Sequence, residues 1–117
     1  MITFAQNTCL PAFQTMYLPG QIIHHRRYKY RGLIVHVDPI CNAGEEWYET
    51  NLTQPDRDQP WYYILVDQRI HCTYVAEENL ELASPEAAIQ HPYVETYFGE
   101  FDDTSYARNE VPWRPEE

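Results

Sequence analysis

The chain is poor in cysteine, and its three cysteines do not form a dense set of cross-links. Cys9, Cys41 and Cys72 lie far apart and include no Cys-x-x-Cys pair. An odd and widely spaced set argues against both a disulfide scaffold and a cysteine-based zinc site. We therefore expect reduced thiols and a fold that depends on its own hydrophobic core.

Long apolar runs and glycine-rich loops are also missing. No stretch of about 18 consecutive apolar residues occurs, so the sequence predicts no membrane span. Residues 1–20 lack the basic start and the apolar centre of a signal peptide, and we expect a cytoplasmic protein. The four glycines are scattered singly, outside any Gly-x-Gly-x-x-Gly or Gly-Lys-Ser/Thr context, so no phosphate-binding loop is predicted.

Positive charge is scarce as well. The chain has 8 Lys and Arg against 18 Asp and Glu, a net charge of −10. Residues 67–117 alone hold 12 acidic and 3 basic side chains, which disfavours a nucleic-acid partner because phosphate neutralisation needs clustered cations. Residues 24–31 are the exception, with four cations, two histidines, two tyrosines and no acid.

Aromatic residues and proline are what the chain does have. It contains 10 Tyr and 9 Pro in 117 residues, the length of one domain; tyrosine is typical of strands, and proline interrupts long helices. Short β-branched or aromatic runs predict strands at 21–25, 33–38, 61–67 and 71–76. The sequence therefore predicts a mostly β fold, a small SH3-like β-barrel of about five short antiparallel strands.

Three parts of the chain follow from this interpretation. Residues 1–16 are predicted to form an N-terminal arm, and residues 17–82 the barrel. A long loop at 40–60 interrupts the barrel, with one or two helical turns expected at 45–49. Residues 83–117 form an acidic, proline-containing and irregular C-terminal extension, which belongs to the same domain or packs on it.

Four sequence blocks point to a known family. They are KYRGLIVHVDPIC (Lys29–Cys41), EEWY (Glu45–Tyr48), DQPWYYILVD (Asp58–Asp67) and TYVAEENLE (Thr73–Glu81). In this order, over about residues 20–82, they resemble the YccV-like family, also called heat-shock protein Q or hemimethylated-DNA-binding protein. HPYVETYF (His91–Phe98) and YARN (Tyr106–Asn109) are similar to the extended tail of some members.

The resemblance implies an SH3-like barrel without catalytic activity of its own. It also implies one of two roles. The first is that of a heat-shock factor that engages an energy-dependent protease as adaptor, specificity enhancer or substrate. The second is DNA binding with a preference for hemimethylated sites.

The basic segment at 24–31 is the candidate nucleic-acid site and is expected at a turn between two strands. The candidate residues are His25, Arg26, Arg27, Tyr28, Lys29, Tyr30 and Arg31. Their cations can contact phosphates, and their tyrosines can stack on bases. Strand alternation lets only about half of the cations share a face, and the alternative is that they pair with the chain's own surplus acids.

The aromatic and acidic loop is the candidate protein-binding site. Trp47 and Tyr48 lie among three glutamates, and Trp61 opens the strand that follows the loop. Exposed Trp and Tyr side chains are the anchors that dominate protein interfaces. The alternative is a structural role, in which Trp47 caps the open end of the barrel and Trp61 fills the core.

No constellation in the sequence indicates an enzyme. His71 and Cys72 are neighbours on a predicted strand and would point to opposite faces, so they cannot act together as base and nucleophile. The histidines lack the spacing of a zinc site, and we expect neither a metal nor a cofactor.

We therefore favour a non-enzymatic adaptor or modulator of an energy-dependent protease, with a protease or chaperone component as the partner. The net charge of −10 repels a polyanion, so DNA binding through residues 24–31 is the alternative. Self-association through an edge strand stays open, and no membrane contact is expected.

Overall fold

The computed structural model describes residues 15–51, 54–84 and 87–114, which form a mostly β structure. The strands are β1 (Ile22–His25), β2 (Arg31–Asp38), β3 (Trp61–Val66), β4 (Cys72–Ala76), β5 (Leu80–Leu82), β6 (Phe98–Phe101) and β7 (Tyr106–Arg108). The helices are α1 (Glu45–Glu49), α2 (Val94–Tyr97) and a 3-10 turn at Glu77–Asn79. No helix in these ranges is long and apolar enough to cross a membrane. The predicted arm at 1–16 lies outside the described residues, apart from its last two.

Five of the strands form one antiparallel sheet in the order β4-β3-β2-β1-β5. Each strand pairs with the one before it in the chain except β5, which pairs with β1. The predicted mostly β fold with about five short antiparallel strands is therefore confirmed. The two edge strands, β4 and β5, are not paired with each other in the described residues, so the sheet is shown but a closed barrel is not.

Both faces of this sheet are buried around the centres of β2 and β3, which explains the nearly continuous apolar runs in these strands. The inner face consists of Tyr17, Ile23, Ile34, Tyr62, Ile64, Val75 and Leu80. The outer face contributes Ile22, Leu33, Val35 and Leu65. These residues pack against Ile89, Tyr97, Phe98 and Tyr106 from residues 87–114, which we call the C-terminal part. A strand that is covered on both sides has no polar face, so period-two alternation disappears from its sequence.

The C-terminal part carries more regular structure than the irregular extension predicted from its prolines. It contains α2 and a two-stranded sheet of β6 and β7, and it joins the main sheet at a bridge between Gln21 and Ser105. Beside this bridge, the backbone N–H of Tyr106 donates to the carbonyl oxygen of Gly20 at 2.8 Å. Gly20 has a φ of +100°, and a Cβ there would collide with the Tyr106 carbonyl, so this close approach requires glycine.

Candidate partner-binding groove

A groove of about 470 Å³ lies along β4, an edge strand of the main sheet. Its tyrosine and tryptophan lining is Tyr28, Tyr30, Trp47, Trp61, Tyr63 and Tyr74. Among the described residues, no Lys, Arg, Asp or Glu side chain lines it. The groove therefore joins the basic segment and the aromatic loop, which the sequence presents as two separate candidate sites.

The alternation of side chains along β4 separates the groove into two walls. Thr73 and Tyr74 are consecutive strand residues, so their side chains point to opposite faces. The hydroxyl of Tyr30 is 2.7 Å from that of Thr73, whereas the ring centroid of Trp47 lies 5.7 Å from that of Tyr74. We call the first side the tyrosine wall (His25, Tyr28 and Tyr30) and the second side the tryptophan wall (Trp47, Trp61 and Tyr74).

His25 organises the tyrosine wall and is buried. Its Nδ1 accepts the backbone N–H groups of Arg27 at 3.1 Å and Tyr28 at 3.0 Å. Its ring centroid lies 4.8 Å from that of Tyr28 and 5.1 Å from that of Tyr30. Burial lowers the pKa of His25, which favours the neutral imidazole that these contacts need. His25 therefore shapes the turn and supports the two tyrosines.

Two of the four cations in the basic segment are bound within the protein. Arg26 donates its Nε–H to the carbonyl oxygen of Leu80 at 3.0 Å and lies 3.4 Å from the carboxylate of Glu81. Arg31 pairs with the carboxylate of Asp67 at 3.0 Å. The alternative interpretation, pairing with the chain's own acids, therefore applies to these two arginines.

The other two cations, Arg27 and Lys29, are exposed on the turn. The guanidinium of Arg27 lies 5.6 Å from the ring centroid of Tyr28, whose side chain is itself exposed. Lys29 adopts a φ of +62°, a left-handed conformation that helps to close the turn. Neither residue forms an ion pair with the described part of the chain, so both charges are available to a partner.

The tryptophan wall has a buried base and an exposed edge. Trp61 is 1% exposed, whereas Trp47 is 39% exposed. The ring centroid of Trp47 lies 6.1 Å from that of Trp61, and the centroids of Trp61 and Tyr74 are 5.3 Å apart. Trp61 therefore holds the wall in place, and Trp47 presents the surface that a partner can reach.

Tyr48 does not line the groove, although the sequence suggests it as a partner-binding residue. Its hydroxyl donates to the carbonyl oxygen of Pro55 at 2.7 Å, and the guanidinium of Arg57 lies 4.9 Å from its ring centroid. Arg57 also donates to the carbonyl oxygen of Ala43 at 2.6 Å. Tyr48 thus fixes the loop that carries α1, and so positions its neighbour Trp47.

Tyr74 was not singled out from the sequence, yet it is the centre of the tryptophan wall. Its hydroxyl donates to the carboxylate of Asp38 at 2.7 Å and accepts the backbone N–H of Asn42 at 2.9 Å. Burial, with the hydrogen bond to Asp38, raises its pKa far above the usual range. A signal for Tyr74 lies in the predicted strands at 61–67 and 71–76, because these strands pair and place Tyr74 opposite Tyr63.

A bulge in β2 delivers Asp38 to this wall. The pairing of β2 with β3 shifts between Ile34 and His36, so Val35 is an extra residue. After an extra residue the alternation of side chains reverses, and His36 and Asp38 point to the outer face. There the carboxylate of Asp38 lies 3.2 Å from Nε2 of His36 as well as beside the Tyr74 hydroxyl.

The remaining polar candidates do not assemble into a larger cluster. Among the described residues, no group of three or more His, Cys, Asp or Glu side chains is arranged to hold a metal ion. Cys41 and Cys72 form no disulfide within the described ranges, and Cys9 lies outside them. The carbonyl oxygen of His71 lies 3.1 Å from Nε2 of His91, which ties the start of β4 to the C-terminal part.

Comparison with known proteins relates the sequence of this chain to a family. The model of the family described as "Hemimethylated DNA-binding protein YccV like" matches residues 15–105. F-box only protein 21 from Homo sapiens and from Mus musculus are each 38% identical over 96 residues, covering 80% of this chain. The chain spans only 15% of the length of these curated relatives. No solved structure matches the chain significantly.

Proposed function

The chain belongs to the YccV-like family, and from this premise we propose that it is a non-catalytic protein-binding module. In this proposal the groove along β4 holds an extended segment of a partner protein. The observation that carries the proposal is the convergence of two candidate surfaces on one aromatic groove without Lys, Arg, Asp or Glu among its described lining. Aromatic anchors in concave, desolvated sites supply most of the binding free energy at protein interfaces.

The biological setting that we propose is protein quality control. The module acts there as an adaptor or modulator of an energy-dependent protease, with a protease or chaperone component as its partner. This role rests on the family resemblance alone. The groove supplies the contact that such a role needs, because an adaptor must hold a segment of another chain without modifying it.

Two contacts near the edge strand β4 support an SH3-like barrel as the more detailed description of the main sheet. Tyr30, at the end of the β1–β2 turn, reaches Thr73 of the edge strand β4. In addition, the backbone N–H of Arg26 donates to the carbonyl oxygen of Asn79 at 2.8 Å, beyond the end of β4. Both contacts curl the sheet towards closure.

Selection from a random peptide library, followed by titration of the enriched peptides, tests the protein-binding proposal. The comparison uses wild-type protein, Trp47→Ala and a matched control, Ile70→Ala, which removes a side chain that is 82% exposed and outside the groove. We expect enriched peptides whose affinity falls about tenfold or more in Trp47→Ala, the loss expected of an interface anchor. Ile70→Ala should bind them like the wild type.

Two outcomes would reject this function. One is a selection that enriches no peptide above background. The other is a set of peptides that bind Trp47→Ala as tightly as the wild type. Circular dichroism of all three proteins establishes beforehand that each variant is folded.

DNA binding is the second candidate, and the family description favours it. Exposed Arg27 and Lys29, beside the ring of Tyr28, provide the contact surface. Two phosphate contacts give a slope of about −1.8 in log affinity against log salt, which leaves little binding at physiological ionic strength. This small number of available cations is the reason why we rank DNA below a protein partner.

Titration of the protein with hemimethylated and unmethylated DNA duplexes, at low and near-physiological salt, tests DNA binding. A methylation preference that survives physiological salt and disappears in Arg27→Ala/Lys29→Ala would make DNA the ligand. Binding that ignores methylation and vanishes with salt would remove it. Arg69→Ala/Arg114→Ala removes two exposed cations outside the groove lining and is the control, because it changes the net charge by the same amount.

A further inference from the structure

The two walls of the groove carry opposite charges at their margins. Arg27 and Lys29 are exposed on the turn that carries the tyrosine wall. Glu45, Glu46 and Glu49 are exposed on α1, which carries part of the tryptophan wall. None of these five side chains forms an ion pair within the described ranges. The lining is thus uncharged, but one margin is positive and the other negative.

The negative margin lies on the same short helix as the exposed side chain of Trp47. A helix rises about 1.5 Å per residue, so all three glutamates lie within about 3 Å of Trp47 along the axis of α1. Residues one or two positions apart do not face each other on a helix, so the three carboxylates lie around Trp47 and not against its ring. The face of the indole attracts a cation, and the negative field of three exposed carboxylates on the same helix favours the approach of that cation.

Aromatic rings in this protein already hold guanidinium groups in this way. Arg57 lies 4.9 Å from the ring centroid of Tyr48, and Arg108 lies 5.0 Å from that of Tyr97. Both rings have their own arginine. Trp47, in contrast, has no cation over its ring among the described residues, although it is the exposed aromatic side chain of the tryptophan wall.

The direction of β4 determines which side chains of an extended ligand face each wall of the groove. In an extended segment, successive side chains point to opposite sides. Because the walls lie on opposite sides of β4, consecutive ligand residues face different walls. We propose, on the basis of the function proposed above, that the groove selects an extended segment with a basic residue against the tryptophan wall and an acidic residue next to it in the chain, against the tyrosine wall.

Three synthetic fluorescent peptides of equal length test this charge pattern. The first alternates Arg and Glu, the second has the same composition with all Arg before all Glu, and the third alternates Gln and Glu. Fluorescence anisotropy at near-physiological salt gives the affinities. We expect the alternating Arg-Glu peptide to bind about tenfold more tightly than either of the others, a factor within the range of cation–π and adjacent ionic contacts.

Two triple variants with the same change in net charge identify the negative margin. Glu45→Gln/Glu46→Gln/Glu49→Gln should weaken the alternating Arg-Glu peptide by about fivefold, because the field at Trp47 is lost. The control, Glu95→Gln/Glu100→Gln/Glu110→Gln, changes three exposed positions in the C-terminal part. It should leave the affinity within about twofold, since these positions lie outside the groove.

The outcomes separate this inference from the function on which it rests. Equal affinity for the alternating and block peptides, or equal effects of the two triple variants, would overturn the charge pattern. If library peptides still depend on Trp47 in that case, the groove is a peptide site with a different preference. If neither library nor charged peptides bind, the proposed function and the charge pattern are both wrong.

Discussion

The outer face of the main sheet is closed over one part and open over another. In the closed region, Leu33, Val35 and Leu65 are fully buried beneath Tyr97 and Tyr106 of the C-terminal part. In the open region, the tryptophan wall is bordered by α1 and by other residues of the loop before β3, and Trp47 stays 39% exposed beside the groove. The same face of one sheet thus has two different surroundings.

This difference shows that an apolar strand surface does not have one fixed role. Where another part of the chain covers it, the buried area stabilises the fold. Where the cover is incomplete, the same kind of surface is available to a partner, and its stabilising contribution is smaller. Substitutions in the two regions should therefore differ in whether they change the free energy of unfolding or the affinity for a ligand.

The largest effect is expected from Leu65→Ala in the closed region. Leu65 is 0% exposed, and truncating a buried leucine typically lowers the free energy of unfolding by about 2–5 kcal/mol. Urea unfolding followed by tryptophan fluorescence measures this loss. A loss below about 1 kcal/mol would mean that the C-terminal part does not seal the outer face.

A smaller effect is expected from Arg108→Ala, which removes a side-chain hydrogen bond from the same region. Arg108 donates its Nε–H to the carbonyl oxygen of Val35 at 2.9 Å. Without this donor, a buried carbonyl is unsatisfied, which costs about 1–3 kcal/mol. The same urea experiment should show no comparable loss in the free energy of unfolding for Arg114→Ala, at an exposed position. Equal losses for the two variants would mean that the hydrogen bond from Arg108 to Val35 does not stabilise the fold.

Acidification should weaken the tyrosine wall and the C-terminal part, because each contains a buried neutral histidine. Burial lowers the pKa of His25 in the tyrosine wall and of His91 in the C-terminal part. A histidine with a lowered folded-state pKa stabilises the fold fully above its unfolded value of about 6.5 and loses that contribution as the pH falls through the folded-state pKa.

Urea unfolding at pH 7.5 and at pH 5.5 measures this dependence. The wild type should be less stable at the lower pH. His25→Asn keeps an acceptor near the position of Nδ1 but does not titrate there, so its stability should change less between the two pH values. An unchanged difference in this variant would show that His25 does not contribute.

The smallest change in stability is expected from Trp47→Ala in the open region. Because this side chain is 39% exposed, its truncation should cost about 1 kcal/mol or less, as at most surface positions. Urea unfolding of this variant beside Leu65→Ala makes the comparison direct. If the two losses are equal, Trp47 is a structural part of the core and the open region is not a binding surface.

The strands of the main sheet were predictable wherever their local pattern was strong. β2 and β3 follow from runs of β-branched and aromatic residues, and α1 lies where the loop was expected to turn helical. β5 is three residues long and α2 four, too short for a periodic signal. Their formation depends on long-range packing, such as the contact between Gly20 and Tyr106, which no local pattern contains.

The sequence predicted which residues belong to the candidate site, but it did not predict that they meet in one groove. Trp47, Trp61 and the basic turn were recognised separately, because their meeting depends on how the sheet curls around β4. The sequence also could not predict which cations stay available to a partner. Arg26 and Arg31 pair with acidic residues that lie 55 and 36 positions away along the chain. Pairing over such distances is a property of the fold.

The bulge in β2 decides how this strand responds to a change in its length. Up to Ile34 the strand follows one assignment of faces, and from His36 onward it follows the reversed one. Deleting Val35 would make Ile34 and His36 consecutive in the ladder with β3, so Asp38 would stay opposite Trp61 on the outer face, beside Tyr74. The deletion would remove the buried side chain of Val35 from the closed region. A residue inserted between His36 and Asp38 would instead shift Asp38 by one position along the strand and turn its carboxylate to the inner face, away from Tyr74.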